Sequence, residues 1–265
     1  MEQHAAGSST VVKALAVLDA LAGWMRQHPE GATLTELGRA TGFTPSSTYR
    51  YLMPLLSFGL VCQEPGSGRY RLGLRVVELG GICLQSLSLR TVARPFAEEL
   101  TRRTQETTYL AVPDGLEVVY LDRIDSPLPL RMHTNLGGRN PLHCTALGKA
   151  MMAADPALAA RVVHGRLERR TSRTLTTAAS LGSELIVTAA RGYAVDDQEN
   201  EPEVRCTAAA IRDHQGAVAG AISVSGPAAR LTLERIAAEV GPLVRTMAME
   251  ISRAMGFSPS VEEKA

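Results

Sequence analysis

The sequence predicts an α+β protein of two domains. Residues 1–72 are predicted to form a winged helix-turn-helix, residues 73–90 a linker helix, and residues 91–265 a domain in which helices flank an antiparallel sheet. Three observations carry this prediction: two capped helices joined by a tight turn, a glycine-rich hairpin after them, and a later alternation of strand and helix patterns. A length of 265 residues suits two domains of unequal size.

The first helix of the motif begins at a capping box and ends at a glycine. Thr33 and Glu36 have the spacing at which each side chain bonds the other residue's backbone amide, and Gly42 accepts the left-handed conformation that ends a helix. Ser9 and Thr10 are expected to start an earlier helix that completes the domain. Its predicted apolar face consists of Val11, Leu15, Leu18, Ala22 and Met25.

The second helix of the motif is predicted to start at Thr44-Pro45 and to run to Phe58, before Gly59. Its packing face is expected to contain Thr48, Leu52, Leu55 and Leu56. The side chains expected to point outward, towards the major groove of DNA, are Ser46, Ser47, Arg50 and Tyr51.

A hairpin is predicted next, because Pro65-Gly66-Ser67-Gly68 is a turn sequence between two strands. If Tyr70 and Leu72 face inward, then Arg69 and Arg71 face outward together, where they can grip the DNA backbone or minor groove. The alternative is a small helical domain whose exposed face binds protein. We favour double-stranded operator DNA because cap, turn, polar helix face and basic wing all agree, although the net charge of residues 1–72 is only +1.

The leucine-rich segment 73–90 is apolar on more than one side. We expect it to form a linker helix that packs against a second subunit; a helix folded onto the larger domain is equally compatible with the pattern. In the larger domain, strands are predicted over residues 108–112, 116–124, 130–133, 193–196, 206–212 and 217–225. Helices are predicted over residues 145–154, 156–164, 180–191 and 231–255, and a loop over residues 137–141.

Composition excludes several classes of protein. The near-neutral net charge of +1 is unlike that of a basic nucleic-acid coat, and no apolar run is long enough to span a bilayer. The four cysteines lie far apart without paired spacing, which is not typical of a zinc site or a disulfide framework. We therefore expect a cytoplasmic protein with reduced thiols, no metal, no cofactor and no membrane partner.

The chain resembles the IclR family of bacterial transcriptional regulators over nearly its full length. The matching segments are Gly42–Leu52, Gly68–Gly73, Pro141–Ala150, Arg191–Asp197, Val204–Cys206 and Ile222–Pro227. The resemblance implies a winged helix-turn-helix joined to a GAF-like effector-binding domain, assembled as a dimer or a dimer of dimers. It also implies that a small carboxylic or aromatic acid modulates operator binding, and we expect a repressor rather than an activator.

Two segments depart from the pattern of this family. Pro45-Ser46-Ser47 stands where a basic residue is common, and Gln198–Pro202 replaces an acidic-then-glycine run, so access to the effector pocket is expected to differ.

The best predicted effector site is the start of the helix after Cys144. The free amides of Ala146 and Leu147 can hold a carboxylate at this positive helix end. The resemblance adds Asp196, Cys206, Ser223 and Ser225. An ionised Asp196 would repel an acid unless it accepts a ligand hydroxyl or is protonated, which favours a hydroxy- or keto-acid.

Simpler interpretations of these residues remain open at the level of sequence. The two serines are also ordinary strand residues, Cys206 is also a small buried residue, and Asp196-Asp197 also suits a solvated turn or a weak calcium contact. His143 is expected to orient its loop by a hydrogen bond. Two other classes of function are alternatives: a protein-binding adaptor, and a thiol enzyme using Cys144 with His143 or Cys206 with His214. The enzyme is disfavoured because neighbouring residues point apart and no catalytic motif is present, so no catalytic residue is assigned.

Overall fold

The computed structural model describes residues 10–86, 88–129 and 135–258. The chain divides into two compact units, Met1–Ser86 and Leu87–Ala265. The helix that follows the hairpin therefore belongs to the smaller unit, whereas the predicted division treated it as a separate linker.

Three helices form the body of the smaller unit: α1 (Thr10–Met25), α2 (Leu34–Thr41) and α3 (Pro45–Ser57). Both hydrogen bonds of the α2 capping box are present: the Thr33 side chain accepts from the Glu36 amide, and the Glu36 side chain accepts from the Thr33 amide. Gly42 ends the helix with φ 71°. Thr44 caps α3, and Thr48, Leu52 and Leu55 of its predicted packing face are buried. The helix-turn-helix is thus formed by the caps and the apolar spacing that predicted it.

The predicted apolar face of α1 is only partly right: Leu18 and Met25 pack against the core of the smaller unit, although neither is fully buried. The buried residues are Ala14, Val17 and Leu21, whereas Val11 and Leu15 are 66% and 53% exposed. The helix contains apolar residues on nearly every side, so its own pattern does not select the face that packs on α3.

The hairpin consists of β1 (Val61–Gln63) and β2 (Tyr70–Leu72), paired antiparallel with Val61 opposite Leu72. Helix α4 (Leu74–Ser86) follows. The predicted single helix over 73–90 is not observed, because α5 (Leu89–Thr104) begins separately and packs in the larger unit.

The larger unit is built on one antiparallel sheet. Its strands are β3 (Thr107–Asp114), β4 (Glu117–Ile124), β5 (Arg139–Pro141), β6 (Ala194–Asp197), β7 (Val204–Arg212) and β8 (Val218–Pro227). Their spatial order is β5-β4-β3-β8-β7-β6. Strand β5 occupies part of the predicted loop 137–141, and the predicted strand over 130–133 lies outside the described residues.

Helices cover both faces of this sheet. Besides α5, they are α6 (Ala146–Ala154), α7 (Pro156–Val163), α8 (Ala178–Arg191), the short α9 (Leu233–Arg235) and α10 (Gly241–Ala254). A 3-10 turn (Leu142–Cys144) precedes α6, and a π-helical segment (Ile236–Val240) joins α9 to α10. Tyr109 and Ala111 pack with α6–α8, whereas Leu110 packs with α5 and α10. This alternation follows from the two-residue period of a strand and gives the sheet one core on each face.

Candidate functional site

The exposed surface of α3 carries three of the four residues predicted to read DNA. Ser46 and Arg50 are exposed, and Ser47 is half-buried. The Thr44 hydroxyl donates to Ser47 Oγ at 3.0 Å, so the Ser47 hydroxyl hydrogen remains available to an outside acceptor. The capping residue Thr44 therefore fixes the orientation of the Ser47 hydroxyl, one of the candidate DNA contacts.

Tyr51 does not point outward as predicted. Its ring is only 3% exposed and packs edge-on against Phe43, with ring centroids 5.3 Å apart. Arg50 Nη2 donates to the Tyr51 hydroxyl at 3.2 Å. Residue 51 follows Thr48 by three positions and thus shares its buried face, which makes Tyr51 a support for Arg50.

Arg69 also departs from the predicted outward pair. Its guanidinium donates to the Gly31 carbonyl at 2.8 Å and to Glu36 Oε2 at 3.1 Å. The wing is thereby tied to the N-terminal cap of α2, because Glu36 closes the capping box. Arg71 is more exposed, and its guanidinium lies 3.8 Å from Glu64.

In the larger unit, all six predicted effector-site residues line one cavity on the face of the sheet covered by α6. The cavity measures about 30 Å³. Its lining residues are Tyr120, Thr145, Ala146, Leu147, Asp196, Asn200, Cys206, Ser223 and Ser225. The fold thus brings together residues from a helix start, four strands and a loop, and the most distant of them, Tyr120 and Ser225, are 105 positions apart in the sequence.

The N-terminus of α6 is built to present its first amides to this cavity. The Thr145 side chain accepts from the Gly148 amide at 3.1 Å, which satisfies the third amide of the helix. The first two amides, of Ala146 and Leu147, precede the first intrahelical bond. Gly148 allows the helix to approach the 3-10 turn, since a Cβ there would lie 2.0 Å from the Leu142 carbonyl oxygen.

Two serines of β8 face the helix end across the cavity. Ser223 is 1% exposed, and its Oγ has no hydrogen-bond partner among the described residues. Ser225 lies directly opposite Cys206 across the β7–β8 ladder. An unpaired buried hydroxyl is costly, so Ser223 is the wall group most in need of a ligand or water.

Asp196 forms the acidic corner of the cavity. It is 2% exposed, and its Oδ1 accepts from the Glu199 amide at 2.7 Å and the Asn200 amide at 3.4 Å. Burial, reinforced by the nearby Glu199 carboxylate, raises the pKa of Asp196 to about 7. The carboxyl can therefore be protonated near neutral pH, and a solvated turn is excluded at this position.

Comparisons with known proteins identify both units. Residues 10–65 match the sequence model of the IclR helix-turn-helix domain, and residues 82–253 match that of the C-terminal domain of bacterial IclR transcriptional regulators. The chain belongs to the IclR family of bacterial transcriptional regulators.

Relatives of this IclR-family chain match it almost from end to end. The transcriptional regulator KdgR of Escherichia coli K12 is 36% identical, over 94% of this chain and 93% of its own. The repressor BlcR of Agobacterium tumefaciens has a similar structure, with a TM-score of 0.80 and 27% identity over 94% of this chain and 98% of its own. An IclR homologue from Microbacterium hydrocarbonoxydans, solved with 4-hydroxybenzoate, has a TM-score of 0.56 and 25% identity over 93% of this chain and 99% of its own.

Members of this family are regulators that bind DNA, not enzymes, and the thiols of this IclR-type chain agree with that. Burial raises the pKa of Cys144 to about 12, and burial likewise raises the pKa of Cys206. His143 Nε2 lies 2.9 Å from the Glu168 carbonyl oxygen, so the ring bonds to a neighbouring loop, as predicted. Thiols held in the neutral form are poor nucleophiles.

The sequence did not reveal the buried ion pair beside the cavity. Lys149 is fully buried on α6, and its Nζ bonds to Glu199 Oε1, with Glu184 Oε1 3.7 Å away. Thr174 Oγ1 donates to the Glu199 carbonyl at 2.7 Å, which ties the segment 165–177 to the loop after β6. A lysine within the apolar run of α6 was the available indication, but its partner lies 50 residues away.

Among the described residues, no group of three or more His, Cys, Asp or Glu side chains could hold a metal ion. Within the same ranges, no helix combines the length and apolarity needed to cross a membrane.

Proposed function

We propose that this IclR-type regulator is a cytoplasmic repressor whose operator binding is modulated by a small organic acid held at the N-terminus of α6. One observation carries the proposal: free helix amides, an unpartnered Ser223 hydroxyl and a protonatable Asp196 converge on one cavity. Helix amides suit a carboxylate, and the serine and aspartic groups suit additional oxygen atoms. The relative solved with 4-hydroxybenzoate and the repressor BlcR support this assignment.

The ligand class follows from Asp196. A bare dicarboxylate would place negative charge beside a buried acid, which is unfavourable in a low dielectric. A hydroxy- or keto-acid instead gives Asp196 a hydroxyl donor or, when Asp196 is protonated, a carbonyl acceptor. We therefore propose a hydroxy- or keto-acid, aliphatic or aromatic, as the effector.

Binding is coupled to movement because the closed cavity is small. A space of about 30 Å³ is roughly the volume of one water molecule. An acid must therefore separate the N-terminus of α6 from the loop after β6. Hydrogen bonds from Thr171 and Thr174, in the segment 165–177, hold this loop in the closed form. Such a ligand binds only the open form and shifts the population towards it.

On the DNA side, we propose that Ser46, Ser47 and Arg50 contact the major groove and that Arg71 contacts the backbone. Arg69 as a DNA contact stays a prediction, since that role competes with its bond to Glu36. We further propose a homo-oligomer, a dimer or a dimer of dimers, because paired helix-turn-helix units read paired half-sites.

The effector proposal is tested by operator binding to the DNA beside the protein's own gene, titrated with glycolate, lactate, pyruvate and 4-hydroxybenzoate. At least one acid should weaken operator binding. Ser223→Ala should raise the acid concentration for half-release about tenfold, the loss typical of one hydrogen bond. Ser183→Ala, an exposed serine on α8, is the matched control. Indifference to every acid, or loss of operator binding in folded Asp196→Ala or Ser225→Ala, would show that the pocket is wrongly assigned.

The DNA proposal is tested by Arg50→Ala beside Tyr51→Phe. Arg50→Ala should lower operator affinity at least tenfold, because a base or phosphate contact is lost. Tyr51→Phe keeps the buried ring and should change affinity less than threefold. If Tyr51→Phe is the more damaging variant, the hydroxyl itself contacts DNA and our assignment is reversed. Unchanged operator binding in Arg50→Ala would favour the protein-binding adaptor.

A further inference from the structure

The segment that joins α7 to α8, residues 165–177, is attached to the elements on two sides of the effector cavity. On the α6 side, the Glu168 carbonyl oxygen lies 2.9 Å from His143 Nε2, in the 3-10 turn before that helix. On the other side, the Thr171 hydroxyl donates at 2.7 Å to the Gln198 carbonyl, in the loop after β6. We call this segment the strap, because it connects the two elements that must separate when an acid enters.

Arg170 lies between the two attachments of the strap. It follows Glu168 by two positions and directly precedes Thr171, so its backbone lies between the contact with the α6 side and the contact with the loop after β6. The Arg170 amide donates to Thr174 Oγ1 at 3.0 Å, which fixes the backbone at this point. Arg170 is therefore held where the two elements come apart.

The arginines of the strap differ in how their side chains are bonded. Arg173 pairs with Asp197, and Arg169 donates to oxygen atoms within the strap itself. Arg166 and Arg170 are exposed, and neither guanidinium makes an ion pair or a hydrogen bond with the residues that the structure describes. Of these two, only Arg170 lies between the attachments, so its side chain is available to a ligand that enters there.

The charge of Arg170 acts on the residues directly before α6. Burial raises the pKa of the Cys144 thiol to about 12, and the Arg170 charge opposes that rise. Burial also lowers the pKa of His143, and the Arg170 charge lowers it further. These effects agree with the position of Arg170 in the strap and place its charge close to the helix end that is proposed to hold the carboxylate.

The other charges of the strap and of the segment 196–203 nearly balance one another. Asp197 is paired with Arg205 and Arg173, and Glu199 with Lys149. Within the described ranges, the acids of these two segments that have no ion pair are Asp196, Glu168, Glu201 and Glu203, and the arginines that have none are Arg166, Arg169 and Arg170. There is thus no general excess of positive charge, and the entry of an acid depends on which charge lies closest to its path.

We propose that Arg170 binds the carboxylate of the effector as the cavity opens and thereby favours acids over neutral molecules. The inference rests on the proposed effector site and adds a residue of the strap to it. A guanidinium presents paired N–H donors that match a carboxylate, whereas the helix amides offer only a partial positive charge. The ion pair forms only with the opened cavity, so it stabilises the acid-bound form and gives no such gain to a neutral molecule.

The test measures direct binding to the full-length protein by titration calorimetry without DNA. The probes are glycolate, lactate, pyruvate and 4-hydroxybenzoate, and at least one should bind the wild type. Arg170→Gln should weaken the binding of that acid by at least about fivefold, the upper range for an exposed ion pair. Arg170→Lys keeps the charge and should stay within about threefold of the wild type. Operator binding without acid should be the same in all these variants, which shows that they are folded.

Arg166→Gln is the matched control, because it removes an exposed arginine of the same strap that lies before the first attachment. It should change the affinity for the acid less than twofold. Equal losses in Arg166→Gln and Arg170→Gln, or in Arg170→Lys and Arg170→Gln, would overturn the assignment of an ion pair to Arg170.

Two further outcomes separate this inference from the proposed function. If an acid binds the wild type and Arg170→Gln equally well, the role of Arg170 is refuted while the acid site stands. If none of the four acids binds the wild type, the proposed acid response fails, and the inference fails with it.

Discussion

At the scale of single residues, the effector cavity depends on groups whose ordinary chemistry is altered by burial. Asp196 has an ordinary sequence setting, Tyr-Ala-Val-Asp-Asp, which does not reveal its protonation. In the fold it lies beneath the Glu199 loop, where burial and the Glu199 charge both disfavour the ionised form. The neighbouring Asp197 faces the other side of the strand and is bonded to Arg205, so two adjacent acids have opposite environments.

The Asp196 carboxyl should make stability depend on pH. Its pKa rises from 3.8 to about 7 on folding, so the folded protein holds a proton that the unfolded chain releases between these values. The stabilisation is full below pH 3.8 and is lost as the pH rises through about 7. Asp196→Asn mimics the protonated acid. Between pH 5 and 7 the wild type should lose stability relative to this variant, by up to about 1.4 kcal/mol per pH unit.

Urea unfolding at pH 5, 6, 7 and 8 measures this difference. Asp19→Asn, at an exposed position on α1, provides the control for removing one acid. Parallel pH profiles for the wild type and Asp196→Asn would contradict a shifted carboxyl at this site.

At the scale of elements, the position of the α6 N-terminus decides whether its amides reach the cavity. The capping threonine and the 3-10 turn fix this helix start, and Gly148 makes the close approach possible. The turn is itself fixed, since the Leu142 amide donates to the Leu116 carbonyl at 3.0 Å. The N-terminus of α6 therefore packs against backbone atoms, which cannot move aside as easily as a flexible side chain can.

Gly148→Ala should destabilise the larger unit by at least about 2 kcal/mol, because the new methyl meets the Leu142 backbone and one element must shift. Gly182→Ala on α8 is the matched control, since no described atom lies within 4 Å of its Cβ position. This control should gain up to about 1 kcal/mol from better helix propensity. Chemical unfolding curves of both variants measure these changes. Equal stability of Gly148→Ala and the wild type would show that the helix end moves freely.

At the scale of the whole molecule, α4 ends the smaller unit and exposes a large apolar surface. Leu74, Val77, Leu79 and Ile82 are 80%, 69%, 45% and 67% exposed. Exposed apolar side chains at neighbouring helical positions are typical of an interface. This surface agrees with the expectation that the helix packs against a second subunit.

Val77→Glu and Ile82→Glu should therefore lower the oligomeric state at micromolar concentration, because each buries a charge in the proposed interface. Operator affinity should fall more than tenfold, since one DNA-binding unit then reads one half-site. Light scattering after size exclusion measures the mass, and Glu78→Gln on the same helix is the control. If both glutamate variants keep the wild-type mass, α4 is not the oligomer contact.

The sequence by itself determined the local elements and indicated part of the proposed site. Caps, glycines and apolar spacing located α2, α3, the hairpin and most strands of the larger unit. The helix start after Cys144 indicated Ala146 and Leu147, and the resemblance to the IclR family supplied the other four proposed effector residues, which line the same cavity. Caps, turns and strand patterns depend on residues that are close together in the sequence, so the order of the residues predicts these elements directly.

Tertiary structure alone decided what depends on residues far apart in the chain. It selected Ala14, Val17 and Leu21 as the packed face of α1, buried Tyr51, and turned Arg69 towards Glu36. It also paired Lys149 with Glu199 and left Glu199 Oε2 and Ser223 Oγ without a hydrogen-bond partner among the residues that the structure describes. Burial and charge pairing depend on residues that are distant in the sequence but in contact in the fold. A local sequence pattern does not show which residues those are.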